Sequence, residues 1–302
     1  MRHPATSIVS NAKINLFLEV VGGRADGYHD IVSVMHEIDL SDRLSCRPRD
    51  DADLTLETAH PTLPIGGDNH ILAAARLLSR RLGARRGLHF LLEKNIPVGG
   101  GLGGGSSNAA AALRLADRLW EAGLSDAALS ELAARIGSDA PFFVRGGLAL
   151  AEGRGEILTP LDLPPPDFPI TLFLTNIHSR TARAYSCLRL PGRGQTARVD
   201  GFLDALRSGD PAAVSAVSFN RFEKTVLADI PALGGLHRFL EKALARRVLL
   251  TGSGSTLWSV GPAGPALERL ERECAFQELR NSLALRTVEA RFVSRSAANM
   301  AL

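Results

Sequence analysis

The chain has 302 residues, 45% of them hydrophobic, which is enough apolar material for a sizeable core and enough length for two domains. A net charge of +3 suits a small anionic ligand without pointing to nucleic acid, and aromatics at 5% leave little for a base-stacking platform. No apolar run reaches about 18 residues, and residues 1–10 lack a signal-peptide core, so a cytoplasmic protein with no membrane span is expected. Cys46, Cys187 and Cys274 lie far apart and form neither a metal-ligand spacing nor a disulfide framework. All three are predicted to be buried thiols in a reducing compartment.

Residues 12–20 alternate with period two. Ile14, Leu16, Leu18 and Val20 face one way, and Lys13, Asn15, Phe17 and Glu19 the other. This predicts a half-buried strand with Lys13 and Asn15 side by side on its second face. Residues 31–38 and 53–57 are further predicted strands. Asp68 or Asn69 offers an N-cap for a helix to Leu82, with Ile71, Ala75, Leu78 and Leu82 on one face and Gly83 as its stop. Residues 88–96 read as a strand. A glycine run follows, then a helix from about Ser106 to Trp120 with Ala109, Leu113, Ala116 and Trp120 as its buried stripe. Another helix starts at Asp126, presents Leu129, Leu132, Ala133 and Ile136, and ends at Gly137. Residues 148–161 read as a hairpin turning at Gly153-Arg154-Gly155.

Pro164-Pro165-Pro166 suits neither a sheet interior nor a helix interior. A domain boundary is placed there, giving domains of residues 1–163 and 164–302. The second half opens with a strand at 170–174 and continues with helical stretches. A short strand at 248–250 leads into a second glycine loop, and a helix near 267–273 and a strand near 287–293 follow. The polar, glycine-containing stretch 189–198 is predicted to be a mobile loop.

The strongest chemical signal is Pro97-Val98-Gly99-Gly100-Gly101-Leu102-Gly103-Gly104-Gly105-Ser106-Ser107-Asn108, which joins a strand to an alanine-rich helix. Glycines let the backbone approach a ligand and turn successive N–H groups into one hollow. A helix N-terminus at the end of that run adds free N–H groups and the positive end of the helix dipole, a setting for phosphate. Ser106 and Ser107 are expected to cap the helix and donate to phosphate oxygens. The competing readings are a tight turn followed by an N-cap and a flexible linker, and a linker does not normally join an apolar strand to a strongly amphipathic helix. A P-loop requires Lys after its last glycine, where this chain has Ser106. Gly99, Gly101 and Gly104 match G-x-G-x-x-G, but the acids about 20 residues on, Asp117 and Glu121, fall in or at the end of the predicted helix, against a dinucleotide fold.

This loop resembles the phosphate loop of the GHMP kinases (galactokinase, homoserine kinase, mevalonate kinase and relatives). Ala12-Lys13-Ile14-Asn15-Leu16, Arg24-Ala25-Asp26-Gly27-Tyr28-His29 and Gly137-Ser138-Asp139-Ala140-Pro141-Phe142-Phe143 sharpen the resemblance. They direct it toward the branch of the family whose acceptor is a cytidine diphosphate-linked alcohol of the non-mevalonate isoprenoid route. Gly153-Arg154-Gly155-Glu156 and Gly252-Ser253-Gly254-Ser255 also fit. The resemblance implies an α/β (α+β) fold of two domains, an N-terminal ATP-binding domain and a C-terminal ferredoxin-like domain, with the active site in the cleft. Nucleic acid and membranes are not expected partners, and either a monomer or a homodimer is compatible with it.

The resemblance also assigns residues. ATP falls to Pro97, Val98, Gly99, Gly100, Gly101, Leu102, Gly103, Gly104, Gly105, Ser106 and Ser107. Asn69 is capping material first and, by the family pattern, an adenine contact. Asp139 sits between a helix stop and Pro141, where a cap is the plain reading; the resemblance makes it the general base for the acceptor hydroxyl, with Lys13 beside it. Tyr28 and Tyr185 would stack on cytosine, and His29 would bond its edge. Asn15 and Thr181 are weaker candidates for the substrate's diphosphate or sugar. Mg2+ is expected to arrive with ATP. No carboxylate pair stands out for it, and Glu152, Glu156 and Asp162 read equally well as surface residues. Asn176-Ile177 departs from the Lys-Pro dipeptide expected before the second-domain substrate loop. Homoserine kinase and a catalytically dead relative are the competing identities; Tyr28-His29 disfavours the first, and the presence of Lys13, Asp139 and the glycine loop disfavours the second.

Overall fold

The computed structural model describes residues 5–83, 86–190 and 197–294. Most of the loop predicted at 189–198 therefore lies outside the described residues. The first half contributes strands β1 (Thr6–Gly23), β2 (His29–Pro48), β3 (Leu54–Thr58), β4 (Leu88–Glu93), β5 (Leu148–Gly153) and β6 (Ile157–Pro160). Its helices are α1 (His70–Leu82), α2 (Gly104–Leu119), α3 (Asp126–Ala134) and α4 (Ala140–Arg145). The second half runs β7 (Ile170–Leu174), α5 (Thr181–Ser186), α6 (Val199–Ser208), α7 (Pro211–Val217), β8 (Phe219–Asn220), α8 (Glu223–Asp229), α9 (Pro231–Leu244), β9 (Leu249–Leu250), β10 (Leu257–Val260), α10 (Gly264–Leu270), α11 (Cys274–Ser282) and β11 (Arg286–Ala290).

The strands form two sheets. The larger has the order β3-β4-β2-β1-β8, with β5 also paired to β2 and β6 to β5. The smaller is the antiparallel sheet β11-β7-β10-β9. β8 comes from the second half of the chain yet pairs in parallel with β1 through Phe17–Phe219 and Leu18–Asn220. Three apolar clusters fill the layers. One lies between the larger sheet and α1–α4, and a second joins the two sheets with α6 and α7. The third lies between the smaller sheet and α8–α11.

β1 differs from its half-buried prediction in two ways. Residues 12–20 are buried on both faces, because Ala12, Ile14 and Leu16 meet the smaller sheet while Lys13 and Asn15 lie under the glycine loop. A register break against β2 between Asn15 and Phe17 also interrupts the alternation. Phe17 therefore joins the cluster of Ile14 and Leu16, and Leu18 and Val20 join another. The helix predicted from Asp68 or Asn69 forms with Asn69 as N-cap, its side chain accepting from Ile71 N, and Gly83 left-handed at φ 62°. Glycine fits that C-cap because it carries no Cβ penalty there. The 148–161 hairpin forms as β5 and β6. The cysteine prediction is corrected. Cys46 is buried, and burial pushes its thiol up to about 12, but Cys187 at the end of α5 and Cys274 opening α11 are exposed.

A buried ionic knot anchors the glycine run. Asp42 of β2 takes Lys94 Nζ at 2.8 Å and Asn108 Nδ2 at 2.9 Å on one oxygen. Its other oxygen accepts from the backbone N–H of Asn95 and Ile96 at 2.7 and 2.8 Å. One fully buried carboxylate thus ties β2, the exit of β4 and the first turns of α2 together. Asp42→Ala leaves the Lys94 ammonium buried and uncompensated, and is expected to cost about 3–5 kcal/mol of stability. Urea unfolding checks it, and an unchanged midpoint would contradict the role.

Candidate active site

The glycine run is a seam between the two halves of the chain. Gly99, Gly101 and Gly103 have φ of 73°, 79° and 72°. A Cβ on Gly101 would lie 2.3 Å from Thr251 O, and one on Gly103 would lie 2.8 Å from the Phe143 ring and 3.1 Å from Lys13 Cγ. Only glycine allows β1, α4 and the 251–256 loop to close on this backbone. Lys13 N donates to Leu102 O at 3.0 Å, and Thr256 N to Gly100 O at 3.1 Å. α2 starts two residues earlier than predicted, with Gly103 as N-cap and no side-chain cap bond. The expected capping by Ser106 and Ser107 is thereby corrected: both lie inside the first turn, and Ser107 Oγ sits 2.7 Å from Ser10 Oγ in the interior. The free N–H groups of the first turn open onto a cavity of about 940 Å³. Pro97, Val98, Gly99, Gly100, Gly101, Leu102, Gly103, Gly104, Gly105 and Ser106 line it; Ser107 does not.

Lys13 and Asp139 meet at the end of this loop. Lys13 Nζ lies 2.6 Å from Asn15 Oδ1 and 3.7 Å from Asp139 Oδ2. The lysine side chain is 4% exposed and the aspartate side chain 36%. Burial pulls the Lys13 ammonium below its usual range, and the Asp139 charge opposes that shift. Asp139 takes the N-cap position of α4, but its side chain makes no cap bond, so the carboxylate is not spent on the helix. The buried run Pro141, Phe142 and Phe143 anchors the helix behind it. Asn15 is held by Ser33 Oγ, which accepts from its Nδ2 at 2.8 Å, and by Thr251 Oγ1, which accepts from its N at 3.1 Å.

At the other end stand the aromatic candidates. His29 stacks on Tyr185 with ring centroids 4.6 Å apart, and Tyr185 meets Phe222 edge-on at 4.8 Å. Burial and the Asp139 charge push the Tyr185 phenol up to about 12. Tyr28 is 53% exposed and carries the Arg154 guanidinium over its ring. Thr181, the first residue of α5, sits 2.9 Å from Ser253 Oγ. Asn69 also lines the cavity, with its side chain committed to the α1 cap and to Pro64 O. All predicted site residues except Ser107 thus border one cavity. Among the described residues, no group of three His, Cys, Asp or Glu could hold a metal ion.

Sequence reading missed three supports. Asn220 donates from Nδ2 to Leu250 O at 2.6 Å and Gly252 O at 2.9 Å, holding the second glycine loop against the first. Glu223 accepts from Leu250 N at 3.1 Å. Glu19, fully buried, takes both Arg221 nitrogens at 2.6 and 2.5 Å. A two-residue strand gives no periodic signal, so nothing in the pattern marked β8. The second glycine loop, 251–256, joins β9 to β10 as a hairpin turn, and its Gly252 and Ser253 line the cavity.

Comparison with known proteins identifies this architecture. The family model described as GHMP kinases N terminal domain matches residues 69–147. A crystal structure of homoserine kinase from Cytophaga hutchinsonii superposes with TM-score 0.71 at 16% identity, covering 96% of this chain and 95% of that one. At that identity the likeness concerns the fold alone. The more similar relatives carry one name. The chain is 38% identical over 254 residues to a 4-diphosphocytidyl-2-C-methyl-D-erythritol kinase of Shouchella clausii, covering 84% of this chain and 85% of that protein. It is 40% identical over 256 residues to one of Geobacillus kaustophilus, covering 84% and 87%. A crystal structure of 4-(cytidine 5'-diphospho)-2C-methyl-D-erythritol kinase matches with TM-score 0.75 and 31% identity over 95% of this chain and 99% of that one. The chain belongs to the GHMP kinases and, within them, to the 4-diphosphocytidyl-2-C-methyl-D-erythritol kinase family.

Gly101→Ala places a methyl group against Thr251 O at a positive φ, at a strain of about 1–3 kcal/mol. The Kd for ATP, measured by calorimetry, is expected to rise about tenfold or more. An unchanged Kd would remove the loop's close approach from the account.

Proposed function

We propose that this protein transfers the γ-phosphoryl group of ATP to the 2-hydroxyl of 4-diphosphocytidyl-2-C-methyl-D-erythritol in the non-mevalonate isoprenoid route. The single observation that carries the mechanism is the 3.7 Å approach of Lys13 Nζ to Asp139 Oδ2 beside the open N-terminus of α2. In this reading ATP, carried with Mg2+, supplies the phosphoryl group. The backbone from Gly99 to Ser106 holds its anionic tail, a fit supported by the open N-terminus of α2 on the cavity and by a glycine backbone locked against Thr251, Phe143 and Lys13. Ser107, whose hydroxyl turns to Ser10 and whose N–H donates to Gly103 O, stands behind the cradle and outside the cavity.

Asp139 Oδ accepts the proton of the acceptor hydroxyl as that oxygen attacks phosphorus. Lys13 pairs with the carboxylate at 3.7 Å and offsets negative charge that builds on the transferring group. Tyr28, His29 and Tyr185 bind the cytosine end, with Asn15 and Thr181 toward the diphosphate and sugar. The His29–Tyr185 stack means that a cytosine between Tyr28 and Tyr185 displaces the imidazole from the Tyr185 face. The same reading divides the chain into a nucleotide-binding domain of residues 1–163 and a substrate domain of 164–302, with β8 of the second reaching back into the sheet of the first.

With purified protein, ATP and the cytidylyl acceptor, Asp139→Asn is expected to lower kcat by about 10²–10⁴-fold, the range for loss of a general base. ATP affinity is expected to hold, because the cradle is backbone. Turnover near the wild-type rate would sink the assignment of the base. Phosphorylation of homoserine in place of the cytidylyl acceptor would move the protein to another branch of the family.

A further inference from the structure

Arg154 occupies the turn between β5 and β6, and none of the roles above uses it. Its guanidinium carbon stands 4.7 Å over the centre of the Tyr28 ring. Its side chain is 35% exposed, and its Nε lies 3.7 Å from Glu156 Oε1. The turn itself is held independently, by Arg154 N donating to Glu156 Oε2 at 2.6 Å. The next residue brings the same turn to the reacting end: a Cβ on Gly155 would lie 3.9 Å from Asp139 Oδ1. The turn therefore reaches both ends of the cavity, the aromatic end through the Arg154 guanidinium and the carboxylate end through Gly155.

The charge inventory of the cavity sharpens this. Three Lys or Arg side chains line it among the described residues. Lys13 is bound to Asn15 and faces Asp139. Lys94 is bound to the buried Asp42. Arg154 is the third, and its planar fork of N–H donors has no close bidentate partner. An acceptor with a base at one end, a hydroxyl at the other and two phosphates between them must carry its negative bridge past the Asp139 carboxylate. A guanidinium reaching in from the turn that also approaches Asp139 offsets the repulsion and matches phosphate oxygens in pairs.

We propose that Arg154 binds the diphosphate bridge of the acceptor and so selects nucleoside diphosphate-linked alcohols over uncharged ones, an inference that rests on the cytidine-linked reading of the cavity. Its contact with Tyr28 keeps the guanidinium poised at the mouth and yields to phosphate when the acceptor enters.

The test compares wild type, Arg154→Met and Arg154→Lys in steady-state kinetics, with cytidine as a phosphate-free competitive inhibitor. Arg154→Met is expected to raise the KM for the cytidine diphosphate-linked acceptor about tenfold or more, the scale of one charge-assisted hydrogen-bonded contact. Inhibition by cytidine and the KM for ATP are expected to stay at wild-type values, and Arg154→Lys is expected to fall between wild type and Arg154→Met. An unchanged or lowered KM for the acceptor overturns the proposal, a lowered value meaning that Arg154 only obstructs the ring of Tyr28. Equal loss of cytidine and acceptor binding also overturns it, because Arg154 would then act by holding Tyr28. If wild-type protein neither binds cytidine nor phosphorylates the acceptor, the cytidine-linked reading itself fails and this proposal with it.

Discussion

A lysine ammonium taken almost entirely out of water is the constraint around which this molecule is arranged. Lys13 sits on a strand buried on both faces, where an unpaired charge is costly. It is kept there by Asn15 Oδ1 at 2.6 Å and by the Asp139 carboxylate at 3.7 Å. Both partners are themselves fixed from outside. Asn15 is gripped by Ser33 and Thr251, and Asp139 stands at the head of a helix whose Phe142 and Phe143 are buried. Asp139 keeps contact with solvent while Lys13 is almost fully buried, an asymmetry that fits the proposed role of Asp139 as the base.

The glycine run is the second half of the same device. Its backbone bonds to Lys13 through Leu102 and to the second glycine loop through Gly100. The Asp42–Lys94–Asn108 knot holds its entry and exit from below. Asn220 fastens the second loop from the side. The result is a surface made largely of backbone, opened to a cavity at one point and rigidly supported elsewhere. Such a surface favours phosphate by oriented N–H groups without spending side-chain entropy.

Much of this was legible in the sequence. The glycine run between a strand and an alanine-rich helix marked where the backbone packs too closely for a Cβ and opens onto the cavity. The caps Asn69 and Gly83 marked α1 at both ends, and the Gly153-Arg154-Gly155 turn marked the β5–β6 hairpin. What was not legible depended on tertiary contact. Period-two alternation in β1 cannot announce that its polar face is roofed by another loop, nor that a register break against β2 sends Phe17 to the face of Leu16. Ser106 and Ser107 look like caps by composition, yet the left-handed Gly103 begins the helix before them. Asn220 ends a strand of two residues, too short for any pattern, and Arg221 follows it; their importance arises from partners 30 and 202 positions away.

The central claim is that Lys13 and Asp139 act as one unit on the acceptor hydroxyl. A double-mutant cycle on kcat at saturating ATP and acceptor, with Lys13→Met, Asp139→Asn and both together, tests it directly. Residues that act as a unit lose their effect together. The account expects the double variant to be no slower than the slower single variant. Losses that simply multiply would contradict it, because two independent groups would then be at work.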